Sequence, residues 1–361
     1  MLFENAEISM VAKASKENPR NSEASVIRCR DGSLLMAWQC YEESDKGSGD
    51  AGPNTIHAMR SFDEGRTWEQ DRVLIPRPEN CVNLYSPNFI RLRDGAIGLV
   101  YMKYVQLETG KPQLASIYFA KSYDEGESFP EVQTLSERDR YTVSNDCLRR
   151  LSSGRLLISA CISSGEVWTA TDHHCVGILY SDDDGATWQH SEAVIDLPMR
   201  GAMEPFVAEG ADGTLVMVMR NQLGSLFRSY SCDQGITWTK PQTTGLPVPE
   251  SCPYITRVPE SEAMLVIWNN SEYDMHWASH YGKRTPLTVA VTYDNARTFS
   301  DFFDIETDPN RAFSNPGSIW LSDHELLLNY WTCPYSNTGR MSGVIDLKQA
   351  IISLDRTKLA K

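Results

Sequence analysis

The sequence predicts an all-β protein, a six-bladed β-propeller built on Asp-box turns. Three observations predict it: one turn motif occurs five times, a second β-rich motif occurs six times, and the composition suits strands. The chain has 361 residues, 41% of them hydrophobic, with 9 Trp, 15 Tyr and 11 Phe.

The turn motif reads Ser/Thr-x-Asp-x-Gly-x-Ser/Thr-aromatic. It runs Ser61 to Trp68, Ser122 to Phe129, Ser181 to Trp188, Ser231 to Trp238 and Thr292 to Phe299. Its aspartates, at 63, 124, 183, 233 and 294, are 61, 59, 50 and 61 residues apart. That period is too long for a solenoid repeat and suits a four-stranded blade. Asp can accept backbone N–H bonds inside a hairpin loop, Gly supplies a positive φ, and the aromatic ring packs between blades. These aspartates are read as scaffold on the outer rim. The fifth copy has Ala296 in the glycine position and is expected to be the least regular turn.

The second motif is a small turn leading into a buried strand: RDGSLLMAW (30–38), RDGAIGLVY (93–101), SSGRLLISA (152–160), ADGTLVMVM (211–219), SEAMLVIW (261–268) and DHELLLNYW (323–331). Six copies predict six blades in one domain spanning 1–361. The last blade lacks the Asp turn and is expected to be completed by an N-terminal strand around Ala6–Ala12, which removes exposed sheet edges.

A net charge of −14 excludes a nucleic-acid partner, since phosphate binding needs a basic footprint. No apolar run approaches 18 residues, so no membrane-spanning helix is expected. The first twenty residues carry no signal-peptide pattern, and nine scattered cysteines without a CxxC favour the cytoplasm, with secretion open if a leader has been removed. No cofactor is expected. The partner expected is a glycan or an acidic monosaccharide glycoside.

Inner strands of a propeller converge on its axis. Stepping back nine residues from Gly32, Gly95, Gly154, Gly213, Glu262 and His324 gives Glu23, Ser86, Asn145, Glu204, Pro253 and Asn315. Five of these six are polar in otherwise apolar strands, which is costly unless they are hydrogen-bonded or line a pocket. Asn88 and Asp146 lie beside the same ring. Three arginines, Arg20 before the first inner strand, Arg220 ending VMVMR and Arg284 opening RTPLTVAV, would recognise an acidic sugar if they converged, because guanidinium matches carboxylate.

With these motifs in place, the chain resembles the sialidase (neuraminidase) superfamily of Asp-box propellers, in its bacterial sialidase-like branch. The resemblance implies three carboxylate-binding arginines, a Tyr nucleophile activated by a Glu, and an Asp acid/base on a first-blade loop. Glu204, sixteen residues before Arg220, is similar to the family's Glu with its second arginine, and Arg284 to the third arginine. Asp50 in ESDKGSGDAGPN occupies the acid/base region, with Asp45 as competitor. The chain departs from the family where the first arginine is expected, since Ser22 stands there with Arg20 two residues away. It departs again before the sixth inner strand, where Ala312-Phe313-Ser314-Asn315-Pro316 lacks the phenol. Tyr254, Tyr330 or a water are the alternative nucleophiles.

His173, His174, His276 and His280 lie on connections, and a ring there could act as acid or base. His174 is a candidate substrate contact; the others are read as loop histidines. His276 and His280 are four apart without a helical pattern or a third ligand, so no metal site is expected. The leading expectation is an exo-acting glycoside hydrolase releasing a terminal acidic sugar. A polysaccharide lyase or other glycosidase acting on uronic-acid or rhamnose-containing glycans, and a non-catalytic glycan-binding propeller, are the alternatives.

Overall fold

In the computed structural model, which describes residues 2–105, 114–136, 140–163, 172–191, 195–341 and 343–359, the strands form six four-stranded antiparallel sheets. Five sheets are meanders in chain order. In the first of them the strands are Asn21–Arg28, Leu34–Tyr41, Asn54–Ser61 and Glu69–Ile75. The sixth sheet takes its three inner strands from Arg311–Trp320, Glu325–Pro334 and Asp346–Leu354, and its outer strand from Phe3–Ala12. The fold is a six-bladed β-propeller.

Burial follows from each strand's place in its blade. The second strands are covered on both faces by neighbouring blades and read as continuous apolar runs: every residue of Leu34–Tyr41 and of Met264–Asn269 is buried. Outer strands face solvent on one side. Glu69–Ile75 accordingly starts with three exposed polar residues, and Phe3–Ala12 is buried only at its two ends.

Each Asp-box joins the third strand of a blade to the fourth and repeats one set of bonds. The leading hydroxyl donates to the aspartate at 2.7–2.9 Å and accepts from the backbone N–H of the Gly or Ala position at 2.7–3.0 Å. The aspartate also accepts from the backbone N–H and the hydroxyl of the second Ser/Thr, at 2.8–2.9 Å and 2.5–2.6 Å. The Thr187 hydroxyl and its neighbours hold the Asp183 carboxyl down to about 2.

The glycine has a second duty besides positive φ. A methyl on Gly65 would stand 2.3 Å from Leu327 of blade six, and one on Gly126 would stand 2.3 Å from Leu35 of blade one. Each turn is thus pressed against the preceding blade. The fifth turn corrects the expectation of irregularity: Ala296 takes φ 61° and keeps every bond of the set, with an added one from the Arg297 N–H to Asp294. Left-handed backbone costs a non-glycine residue about 1–2 kcal/mol, which the turn's hydrogen bonds and a buried methyl offset here. Gly126→Ala adds that strain to an overlap with Leu35. It is expected to lower stability by about 1–3 kcal/mol in chemical denaturation, whereas Ala296→Gly should change it by less than about 1 kcal/mol.

Candidate functional site

The inner strands break their own register near the axis. The pairing with the second strand shifts between Ser22 and Ser25, Tyr85 and Asn88, Val143 and Leu148, Met203 and Phe206, and Ser314 and Gly317. Each bulge holds one non-glycine residue in left-handed backbone: Glu23, Ser86, Asp146, Glu204 and Asn315, with φ from 40° to 54°. In blade five, Pro253 precedes an inner strand that starts at Tyr254 and pairs without a shift. Bulges re-aim side chains, and Glu23, Ser86, Glu204 and Asn315 line a cavity of about 410 Å³ at one end of the axis.

Arg20, Arg220 and Arg284 all line this cavity, with Glu23, Asp50, His174, Glu204 and Asn315. Five other sequence candidates do not, and each has a structural reason. Asn88 and Asn145 are fully buried between inner strands. Asn88 donates to the Ser144 carbonyl and accepts from the Cys147 and Leu148 N–H groups, while Asn145 donates to the Ala24 and Asn315 carbonyls. Asp146 accepts from the Ser318 N–H at 2.9 Å and from the Tyr254 hydroxyl, which itself accepts from Arg149 at 2.8 Å. Tyr330 donates to Glu306 at 2.9 Å. Blade three contributes Ser144 to the cavity lining instead of Asn145.

The cations differ in how far they are satisfied. Arg20 is saturated: it donates to Ser22 at 2.7 Å, Asp50 at 2.6 Å and Glu23 at 2.9 Å, and its guanidinium lies 4.6 Å above the Tyr41 ring. Arg220 bridges Glu204 and Glu250, both at 2.7 Å. Arg284 is only 4% exposed, yet among the described residues no carboxylate pairs with it; its guanidinium donates to the Glu250 carbonyl at 2.9 Å. Burial and the nearby Arg220 push its pKa down. Arg220 Nε, Arg284 Nε, Ser144 Oγ and His174 Nδ1 are buried polar atoms with no hydrogen-bond partner among the described residues, all on residues that line the cavity. Such atoms are expensive unless a ligand or water meets them.

The carboxyls are pulled apart. Burial alone would raise Glu204, but Arg220, the Cys252 thiol 2.6 Å away and Arg284 bring it down to about 2. Burial keeps Glu23 raised despite Arg20 and Ser22, helped by the charges of Asp50 and Glu204. Asp50 stays at the rim with its side chain 51% exposed. Asp45 pairs with Lys46 at 3.1 Å and is absent from the lining.

Sequence reasoning missed Arg200, which lines the cavity and pairs with Asp172 at 2.6 Å and Glu250 at 2.5 Å. Its signal was present: Arg200 precedes Glu204 by four residues much as Arg20 precedes Glu23 by three. His280, read as a loop histidine, also lines the cavity, and burial with Arg284 and Arg220 drives its pKa well below the usual range. The one lining tyrosine among the described residues is Tyr85, whose hydroxyl donates to the Asp50 carbonyl. Phe313 and Asn315 stand where a phenol would be expected.

The BNR repeat-like domain family matches residues 32–327. A search of curated proteins gives no match. Among solved structures, a protein of unknown function from Dyadobacter fermentans is similar with a TM-score of 0.76 at 18% identity, covering 97% of this chain and 98% of that one. The NanB sialidase of Streptococcus pneumoniae is similar at 0.67 and 14%, covering 100% and 71%. The intramolecular trans-sialidase of Ruminococcus gnavus, in complex with oseltamivir carboxylate, is similar at 0.69 and 13%, covering 94% and 96%. At such identities the likeness is one of fold. The motif, the blade count and the family match agree: this chain belongs to the BNR repeat-like domain family and folds as a six-bladed propeller.

Proposed function

We propose that this propeller is an exo-acting glycoside hydrolase that removes a terminal acidic sugar from a glycan. The observation that carries the reading is Arg284, a buried guanidinium in the cavity with no carboxylate partner among the described residues. A guanidinium keeps its proton, so the missing counter-charge is best supplied by a ligand carboxylate. Arg220, already turned toward Glu204 and Glu250, adds a second positive charge beside it. Ser144 and His174 offer hydrogen-bonding atoms to ring hydroxyls.

Glu204 is the ionised partner. Held at about 2, it stabilises positive charge developing at the anomeric carbon or takes the proton of an attacking water. With no lining phenol beside Glu204 among the described residues, water is the nucleophile favoured. Two carboxyls compete for the acid role, Glu23 and Asp50, bridged by Arg20. Glu23 fits it better, because a raised carboxyl keeps its proton to higher pH and the environments of Glu23 and Glu204 split their affinities. Asp50 lies on the loop that borders the entrance and is the alternative.

A second reading has one observation in its favour. His280 is kept neutral beside Arg284 and Arg220, as a base would be that takes the proton α to an arginine-neutralised uronate carboxylate. Such a lyase leaves an unsaturated product that absorbs in the ultraviolet, which hydrolysis does not.

Five outcomes are expected. Arg284→Gln raises KM for acidic glycosides by about 30-fold or more, from the roughly 2 kcal/mol lost with a buried charge pair. Glu204→Gln lowers kcat/KM by about 10²-fold or more; full activity in this variant sinks the assignment. The rate should hold on the acid side toward about 2 and fall as pH rises through the raised Glu23 value. Arg20→Gln, by removing a charge that lowers Glu23, should move that falling limb upward. Finally, Glu23→Gln should lose activity on alkyl glycosides but retain most of it on activated aryl glycosides, whose leaving groups need no proton. If Asp50→Asn shows that selectivity and Glu23→Gln does not, Asp50 is the acid. Binding of acidic sugars with no turnover over prolonged incubation would instead make the protein a glycan-binding propeller.

A further inference from the structure

Outside the cavity, His173, Cys175 and Asp196 bring an imidazole nitrogen, a thiol sulfur and a carboxylate oxygen within 4.8 Å of one another. We propose that these three side chains form a zinc site on blade three, behind the cavity wall and independent of the reading of the cavity itself.

Strand alternation builds the site. His174 opens the strand His174–Ser181 and lines the cavity, so His173 and Cys175 on either side of it turn to the opposite face. Asp196 arrives from the facing segment, held there by reciprocal backbone bonds between Val176 and Ile195 at 2.8 and 3.0 Å. Around a tetrahedral zinc with Zn–N and Zn–O near 2.1 Å and Zn–S near 2.3 Å, donors stand roughly 3.3–3.6 Å apart, which the three side chains reach by small rotations.

The hydrogen bonds around His173 point the same way. Its Nδ1 is 2.8 Å from the Met199 carbonyl oxygen, which can only accept, so Nδ1 carries the proton. In the neutral ring Nε2 then holds a lone pair, and it faces Asp196 Oδ1 at 2.8 Å, another acceptor. Two acceptors in contact need an electrophile between them: a proton, or a metal ion once the ring is neutral. A backbone carbonyl on the far nitrogen is also the arrangement that fixes tautomer and ring orientation in zinc-binding histidines. Thiolate, imidazole and carboxylate together select zinc over harder divalent ions, and a thiolate with a carboxylate neutralises its two charges. On binding, the Cys175 thiol gives its proton to solvent. The fourth position is left to water.

The site would clamp the two segments that deliver His174 and Arg200 to the cavity, already joined by the His174 N–H to Arg200 carbonyl bond at 2.8 Å and the Ala202 N–H to His174 carbonyl bond at 3.0 Å. The test uses the full chain after dialysis against a chelator. Calorimetric titration with Zn²⁺ should give one saturable equivalent and a higher melting temperature, and Co²⁺ should give a thiolate charge-transfer band with tetrahedral visible bands. Cys175→Ser and His173→Gln should each weaken Zn²⁺ binding at least about tenfold, and Cys175→Ser should remove the charge-transfer band. Cys232→Ser, which changes the exposed thiol on blade four, should leave both unchanged. The proposal is overturned if the wild-type chain binds no stoichiometric Zn²⁺, if Cys175→Ser and His173→Gln bind it as the wild type does, or if the band follows Cys232.

Discussion

The constraint on which this molecule turns is the crowding of inner strands at the axis. Their backbones must bond across to one another while leaving room at one end for a cavity. The bulges resolve this by giving nearby residues opposite tasks. One side chain is spent knitting blades: Asn145 reaches the Ala24 and Asn315 carbonyls, Asn88 reaches blade three, and Ser25 accepts from the Phe89 N–H. In blades one, two, four and six the residue twisted into left-handed backbone faces the open end, whereas in blade three Asp146 joins the knitting and Ser144 lines the cavity. Scaffold and site are therefore set by the same local distortion, and the precision of the cavity wall derives from bonds made just beneath it.

This explains what the sequence could and could not tell. Spacing arguments survive translation into structure when the repeat is rigid, so five turns and six hairpins translate into six blades. The nine-residue step lands on the left-handed residue in blades one, two, four and six because each has a bulge of the same length. In blade three the bulge is longer, and the step falls one residue short, on Asn145 rather than Asp146. Neither residue reaches the cavity: Asp146 is bonded to Ser318 and Tyr254, and blade three lines the space with Ser144 instead. Tyr254 and Tyr330 were plausible by polarity alone, but their hydroxyls had been claimed by Asp146 and Glu306, groups distant in the chain. Long-range pairings of that kind leave no mark on local sequence.

The electrostatics of the cavity set it apart from the molecule that carries it. A chain with a net charge of −14 concentrates four arginines around one space, three of them held by acidic partners and one left over. Arg200, Arg220 and Arg20 are fixed by Asp172, Glu250, Glu204, Glu23 and Asp50, so their positions are determined before any ligand enters. Preorganised charge of this sort needs little rearrangement on binding. The surrounding negative surface, in turn, opposes long-range attraction of anions and makes local fit the basis of selection.

The pairing of Phe3–Ala12 with Asp346–Leu354 also governs how the chain reaches its native state. Ala6 lies opposite Ile352, so the contact that closes the ring joins the fold's first strand to its last. Contacts of such sequence separation are slow to form, because the entropy of closing the loop is lost before the strand ladder can compensate. During synthesis the first five blades emerge well before the last strand does, as an open arc with bare sheet edges at either side. The propeller's most vulnerable moment is thus a kinetic one, the interval in which the arc waits for its last strand, and the pairing of first and last strands is the latch that ends it.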